Sequence, residues 1–181
     1  MKNFKTKQLA YAAAAIALAM VTSMIKPFSL PMGGSATLLS MLFIVLIGYF
    51  YGPVMGIATG VAYGLLQFAI EPYVFTIPQV LVDYPLAFGA LGLSGFFCKS
   101  KHGLTVGYIV GVLGRYFFAF LSGWIFFGSY AADYGMTAPV YSLVYNGSYL
   151  GAEAVITLIL INLPPVKQAL EQIKKRAVGE Q

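Results

Sequence analysis

Charge is what the sequence has least of. Of its 181 residues only 9% are charged and 59% are hydrophobic, whereas a soluble domain typically carries about 25% charged residues. One small core cannot bury that much apolar surface. The composition therefore excludes an ordinary soluble domain and points to an all-α integral membrane protein. Cysteine and histidine are scarcer still, with one of each, Cys98 and His102. A lone cysteine excludes an intrachain disulfide and a multi-cysteine metal site, so Cys98, beside Lys99, reads as a small filler near a helix end. No metal, cofactor or nucleic-acid partner is expected. The G-x-x-x-x-G-K-[ST] loop that cradles nucleotide phosphates is also missing, so the chain has no ATPase motif of its own.

What the sequence does have is long apolar runs. Six segments emerge, at 8–25, 38–51, 53–70, 78–98, 104–130 and 139–163, and they predict six transmembrane helices in a single domain, 1–181. About 20 helical residues cross a bilayer core of about 30 Å. The first segment follows three lysines, as a signal peptide would. It is long for one and five more spans come after it, so it reads as a retained helix. Gly52-Pro53 is a breaker pair that fits a tight turn between the second and third segments. No internal repeat is visible, which argues against an inverted-repeat carrier.

The basic residues set the orientation. Lys2, Lys5 and Lys7 precede helix 1, Lys99 and Lys101 separate helices 4 and 5, and Lys167, Lys174, Lys175 and Arg176 follow helix 6. The 11 basic residues thus fall mostly on one side of a six-span path, and the positive-inside rule predicts cytoplasmic N- and C-termini. The loop 26–37, rich in proline and glycine, then lies outside. It reads either as a lid over a binding site or as a plain connector.

Three charges fall inside spans: Asp83, Arg115 and Glu153. Ionisable groups at membrane depth are costly and mark function by default. Asp83 lies only about five residues, or roughly 7–8 Å, below the outer end of its helix. At the same level the topology brings Tyr84, Phe127, Tyr141 and Asn146, with Gly123 in the outer part of helix 5. Tyr73, Tyr130 and Tyr134 join them from the outer helix ends. A carboxylate among aromatic rings suits a flat cation. Arg115 and Glu153 lie deeper. Two pairings are open, a midplane Arg115–Glu153 ion pair or an Asp83–Arg115 pair; in the first case Asp83 lacks a protein cation, and a cationic ligand fills that role.

These residues sit in longer stretches: GGSATLLSM (33–41), YGPVMGIATGVAYGLLQF (51–68), QVLVDYPLAF (79–88), GRYFFAFLSGWIFF (114–127) and YSLVYNGSYL (141–150). In this order and spacing they resemble the ThiT family, the thiamine-specific S components of energy-coupling factor (ECF) importers of the ABC type. The resemblance implies a multi-pass protein of the prokaryotic plasma membrane that captures thiamine at the extracellular side. It implies a membrane T component and two ABC-type ATPases as partners, with ATP used by those subunits only. It carries ligand contact to Tyr73, Asp83, Tyr84, Gly123, Phe127, Tyr141 and Asn146, and T-component contact to an A-x-x-x-A pair in helix 1, matched at Ala15 and Ala19. The chain departs from the family pattern at Ala119, where histidine is usual. It also departs at Phe127 and Gly34, where some members have tryptophan, and at Asp83, where some have glutamate. A related vitamin or a pyrimidine precursor is the alternative ligand.

Two other classes are open on the residues. Gly92-Leu93-Ser94-Gly95 fits the G-x-S-G of rhomboid-type proteases, yet activating a serine needs a base, and His102 follows only eight residues later in a loop. An independent small-solute carrier would need polar groups near the midplane, for which Arg115 and Glu153 are the charged candidates. The expectation is a binding subunit and not an enzyme.

Overall fold

The computed structural model describes residues 5–30 and 32–179, apart from the Phe28 side chain. Lys2 and Pro31, the latter one of the prolines of the 26–37 loop, lie outside the described residues. Seven helices and one hairpin follow in order. They are α1 (Thr6–Ser23), strands β1 (Phe28–Ser29) and β2 (Ser35–Ala36), α2 (Ser40–Tyr51), α3 (Pro53–Ile70) and α4 (Ile77–Phe97), then α5 (Gly103–Phe126), α6 (Ala138–Asn162) and α7 (Pro164–Val178). The strands pair antiparallel, Phe28 with Ala36 and Ser29 with Ser35. A 3₁₀ segment, Gly128–Tyr134, joins α5 to α6.

Among the described residues four helices, α3 to α6, are long and apolar enough to cross a membrane. The six-segment reading is finer than this measure supports. α2 has only 12 residues, and nine of them are buried, because an all-round apolar helix belongs inside a bundle. Met41, Ile44 and Val45 of α2 meet Tyr63 of α3, Leu91 of α4, Tyr108 of α5 and Leu150 of α6 in one core. Helix α5 stops at Phe126, short of the expected 130, and its chain continues as the 3₁₀ segment.

The breakers act as their chemistry requires. Gly52 has φ 91°, a conformation that only glycine adopts freely. Pro53 then opens α3 at a position where its missing N–H costs nothing. Inside α4, Pro85 cannot donate to the preceding turn and its ring crowds the carbonyl four residues back. The helix responds by widening into a π turn over Val82–Leu86, a distortion that recurs at functional sites.

Helices α3 and α4 touch through backbone. A Cβ on Gly92 would lie 2.1 Å from the Ile57 nitrogen. Ser94, two residues on, faces α2 instead. It is fully buried, and its Oγ donates to the Val45 carbonyl at 2.9 Å. The G-x-S-G run is therefore packing. Ser94→Ala is expected to cost about 1 kcal/mol of stability, the worth of one hydrogen bond, and to leave ligand affinity unchanged in calorimetry. Proteolytic activity that disappears in this variant would contradict that.

Two expectations for the ends of the chain need correction. Ala15 and Ala19 face inward, at 7% and 0% exposure, because that stripe of α1 packs on the core. They cannot present a surface to a partner. Two pairs of exposed alanines have the same four-residue spacing, Ala10 with Ala14 and Ala13 with Ala17. Beyond the last predicted span, Pro164–Val178 form a further helix, α7. Val166, Leu170, Lys174 and Ala177 are its least exposed residues, at helical spacing. The Lys174 ammonium lies 3.6 Å from the centre of the Tyr49 ring and donates to the Cys98 carbonyl, and Lys7 donates to the Arg176 carbonyl. The basic termini and the 98–102 turn therefore gather at one end of the bundle.

Candidate ligand-binding cavity

At the opposite end, α4, α5 and α6 enclose a cavity of about 510 Å³. The sequence makes each wall by helical repetition, since residues three and four apart share a face. From α5 come Arg115, Ala119, Ser122 and Gly123; from α6 come Tyr141, Ser142, Tyr145, Asn146 and Tyr149. The 3₁₀ segment adds Tyr130, Asp133 and Tyr134, and the 26–37 loop adds Met32 and Gly33. All seven residues that the sequence reading nominated for ligand contact line this one cavity.

Asp83 sits in the π turn of α4. Its neighbour Gln79 is fixed from both sides. Thr76 caps the helix by accepting from the Gln79 N–H, and the Gln79 Oε1 accepts from the Phe75 N–H at 2.9 Å. The Gln79 amide nitrogen is thereby aimed at Asp83 Oδ2, 2.6 Å away. Gln79, a neutral donor, holds the carboxylate in place and leaves its charge uncancelled.

Neither expected ion pair forms. Among the described residues nothing joins Arg115 to Asp83 or to Glu153. The Arg115 guanidinium lies 4.2 Å from the centre of the Phe88 ring, and its Nη1 is buried with no hydrogen-bond partner. Glu153 is committed elsewhere: it accepts from Thr37 Oγ1 at 2.5 Å, from Ser40 Oγ at 3.1 Å and from the Met41 N–H at 3.0 Å. Neutral donors have replaced the anticipated cation. The cavity thus offers an anion at Asp83 and a free cationic donor at Arg115. An occupant with a positive charge and a separate acceptor matches both.

The aromatic residues divide into a rim and a ladder. Tyr73 and Phe127 have ring centres 5.7 Å apart, and Phe127 also meets Tyr130. Tyr73, outside the helices, has its phenol pKa raised, first by a hydrogen bond with Tyr130. Tyr134, Tyr141, Tyr145 and Tyr149 form the ladder, and Tyr141 and Tyr145 stack at 15°. Tyr84 braces the site: its hydroxyl accepts from the Tyr73 N–H at 3.1 Å and donates to the Glu71 carbonyl at 3.0 Å.

Gly123 allows α5 and α6 to close on each other, since a Cβ there would lie 2.3 Å from Ser142 Oγ. Across this contact Asn146 donates to the Ala119 carbonyl at 3.2 Å and accepts from the Tyr149 hydroxyl at 2.9 Å. Its amide nitrogen is occupied, so toward the cavity it offers its remaining oxygen lone pair. Gln79, Ser122, Tyr145 and Tyr149 are not among the residues expected from the sequence, and Arg115 is expected there only in an ion pair or as the midplane charge of a carrier. Tyr145 and Tyr149 follow Tyr141 at four-residue intervals, and Gln79 precedes Asp83 by four. That spacing was the available signal.

The family model for thiamine transporter protein matches residues 9–172. Thiamine transporter ThiT of Bacillus subtilis (strain 168) is 37% identical over 165 residues, covering 83% of this chain and 84% of that protein. Thiamine transporter ThiT of Lacticaseibacillus paracasei is 32% identical over 98 residues, covering 47% of this chain and 48% of the relative. A solved structure of ThiT from Listeria monocytogenes superposes with a TM-score of 0.71 at 28% identity, covering 87% of this chain and 94% of that one.

Proposed function

The chain belongs to the thiamine transporter protein family and is a multi-pass protein of the bacterial cell membrane, and on that premise we propose that it captures thiamine as the S component of an ECF-type importer. The observation that carries this reading is Asp83, an anion without a protein cation, in a cavity walled by tyrosines. Asp83 neutralises the thiazolium. The rings of Tyr73, Tyr84, Phe127 and Tyr141 enclose the flat ligand, and Gly123 keeps the site narrow. Asn146 accepts from the ligand's polar edge, and Arg115 Nη1 donates to an acceptor on it. Stacking and cation–π terms contribute about 0.5–2 kcal/mol each in such a desolvated site.

In this reading six helices span the membrane, with α2 as a short central one, and both termini are cytoplasmic, as the positive-inside rule asks of the basic end. The cavity then opens outward, with the 26–37 loop as its lid. The chain performs no catalysis and holds no cofactor. ATP hydrolysis by two partner ATPases, acting through a T component, drives release inward. The exposed alanines of α1, Ala10 with Ala14 and Ala13 with Ala17, take over the T-component contact from the buried pair, since small residues let helices approach closely.

Native mass spectrometry of protein purified without added ligand tests the ligand, because the bound mass separates thiamine from a pyrimidine precursor. Proteoliposome uptake tests the mechanism. Uptake is expected only when the T component and the ATPases are present. Uptake by the chain alone would establish an independent carrier instead.

A further inference from the structure

Glu153 is a buried charge that has no part in the site described above. It is 3% exposed, lies on α6 one helical turn beyond Tyr149, and all its described partners come from one short stretch, Thr37, Ser40 and Met41. That stretch directly follows β2 and leads into α2. Between these partners Leu39 holds φ 62°, a left-handed conformation that a branched side chain rarely adopts. The strained turn points the Ser40 hydroxyl and the Met41 N–H at one carboxylate. On the preceding turn of α6, the Tyr149 ring abuts Gly34, where a Cβ would lie 3.0 Å from Tyr149 Cδ1. Gly33, next in the chain, lines the cavity. One helix therefore carries the ladder that faces the ligand and, four residues on, the anchor of the segment that forms another wall.

We propose that Glu153 is a positioning residue for ligand retention. By gripping Thr37 and the start of α2 it holds the 33–37 segment against Tyr149, and this grip sets how slowly the ligand leaves. Releasing Thr37 frees the β2 end of the wall and lets Leu39 relax, whereas the groups on α4 and α5 stay where they are. Loss of the grip therefore acts on departure of the ligand more than on its recognition. This inference rests on the reading that the cavity holds thiamine.

The test is a radiolabelled-thiamine chase on detergent-solubilised protein, with association measured separately. In the native chain, saturable binding supports the underlying reading, and its absence removes that reading before Glu153 is addressed. Glu153→Gln is expected to raise the dissociation rate about tenfold, as loss of a charge-assisted hydrogen bond allows, with association changed less than about threefold. Thr37→Val, a milder change at the end of a loop that keeps the α2 contacts, should raise dissociation in the same direction. Thr37→Ser, which retains the hydroxyl, should restore the native rate. A merely structural Glu153 would lower thermal stability and leave the dissociation rate of the folded protein unmoved in all three variants. That result overturns the proposal, and Thr37→Val decides the matter if Glu153→Gln does not fold.

Discussion

Asp83→Asn is expected to weaken thiamine binding by at least about 1.5 kcal/mol, or more than tenfold in Kd by titration calorimetry. The substitution keeps shape and hydrogen bonding. The Asn oxygen can still accept from Gln79 Nε2, which now approaches Asp83 Oδ2 at 2.6 Å, so the π turn has no reason to rearrange and the thermal transition should hold. What disappears is the negative charge facing the ligand. Contacts with an ionised partner are roughly twice as strong as neutral ones, and the low dielectric of a membrane-embedded site strengthens the attraction further. An unchanged Kd would show that Asp83 does not meet the cation.

The second large effect concerns the fold. Gly92→Ala should destabilise the protein by about 3 kcal/mol or more, beyond the usual range for overpacking. The added methyl would sit 2.1 Å from the Ile57 nitrogen, 2.3 Å from the Gly56 carbonyl carbon and 2.5 Å from the Ile57 Cα. These are backbone atoms of α3 and cannot rotate aside as a side-chain tip would. The helices must separate, and α4 carries Asp83 with it. Gly151→Ala is the matched control, because a Cβ there meets nothing within 4 Å, and alanine is the better helix former by about 1 kcal/mol. Thermal melts in detergent should therefore show a large loss for the first and none for the second. Equal melting temperatures would mean that α3 and α4 do not touch as described.

Much of the site was legible because it rests on periodicity and depth. Counting down the helices from their outer ends was enough to put Asp83, Phe127, Tyr141 and Asn146 at one level, and they do line one cavity. Partner choice was not legible. Pairing Arg115 with a carboxylate follows from charge alone, yet Glu153 is satisfied by hydroxyls and an N–H from Thr37 and the start of α2, more than 100 residues away in sequence, which no local pattern announces. Helical phase in α1 failed for a related reason. In a run of alanines every pair at i and i+4 looks alike, and only packing against α2 separates buried Ala15 and Ala19 from exposed Ala13 and Ala17. α7 was overlooked because its apolar stripe is narrow and its composition resembles that of a charged tail. The π turn, by contrast, has a cause visible in the sequence, namely Pro85 two residues after Asp83.

The central claim, that this cavity holds thiamine, is tested most directly by titration calorimetry of thiamine into the native chain and into Ala119→Trp. Ala119 lines the cavity, and an indole there fills the space the ligand needs. The prediction is one saturable site per native chain and no measurable binding in the variant, with both proteins folded. Absence of a saturable site in the native chain, or equal affinity in the filled one, would contradict the account.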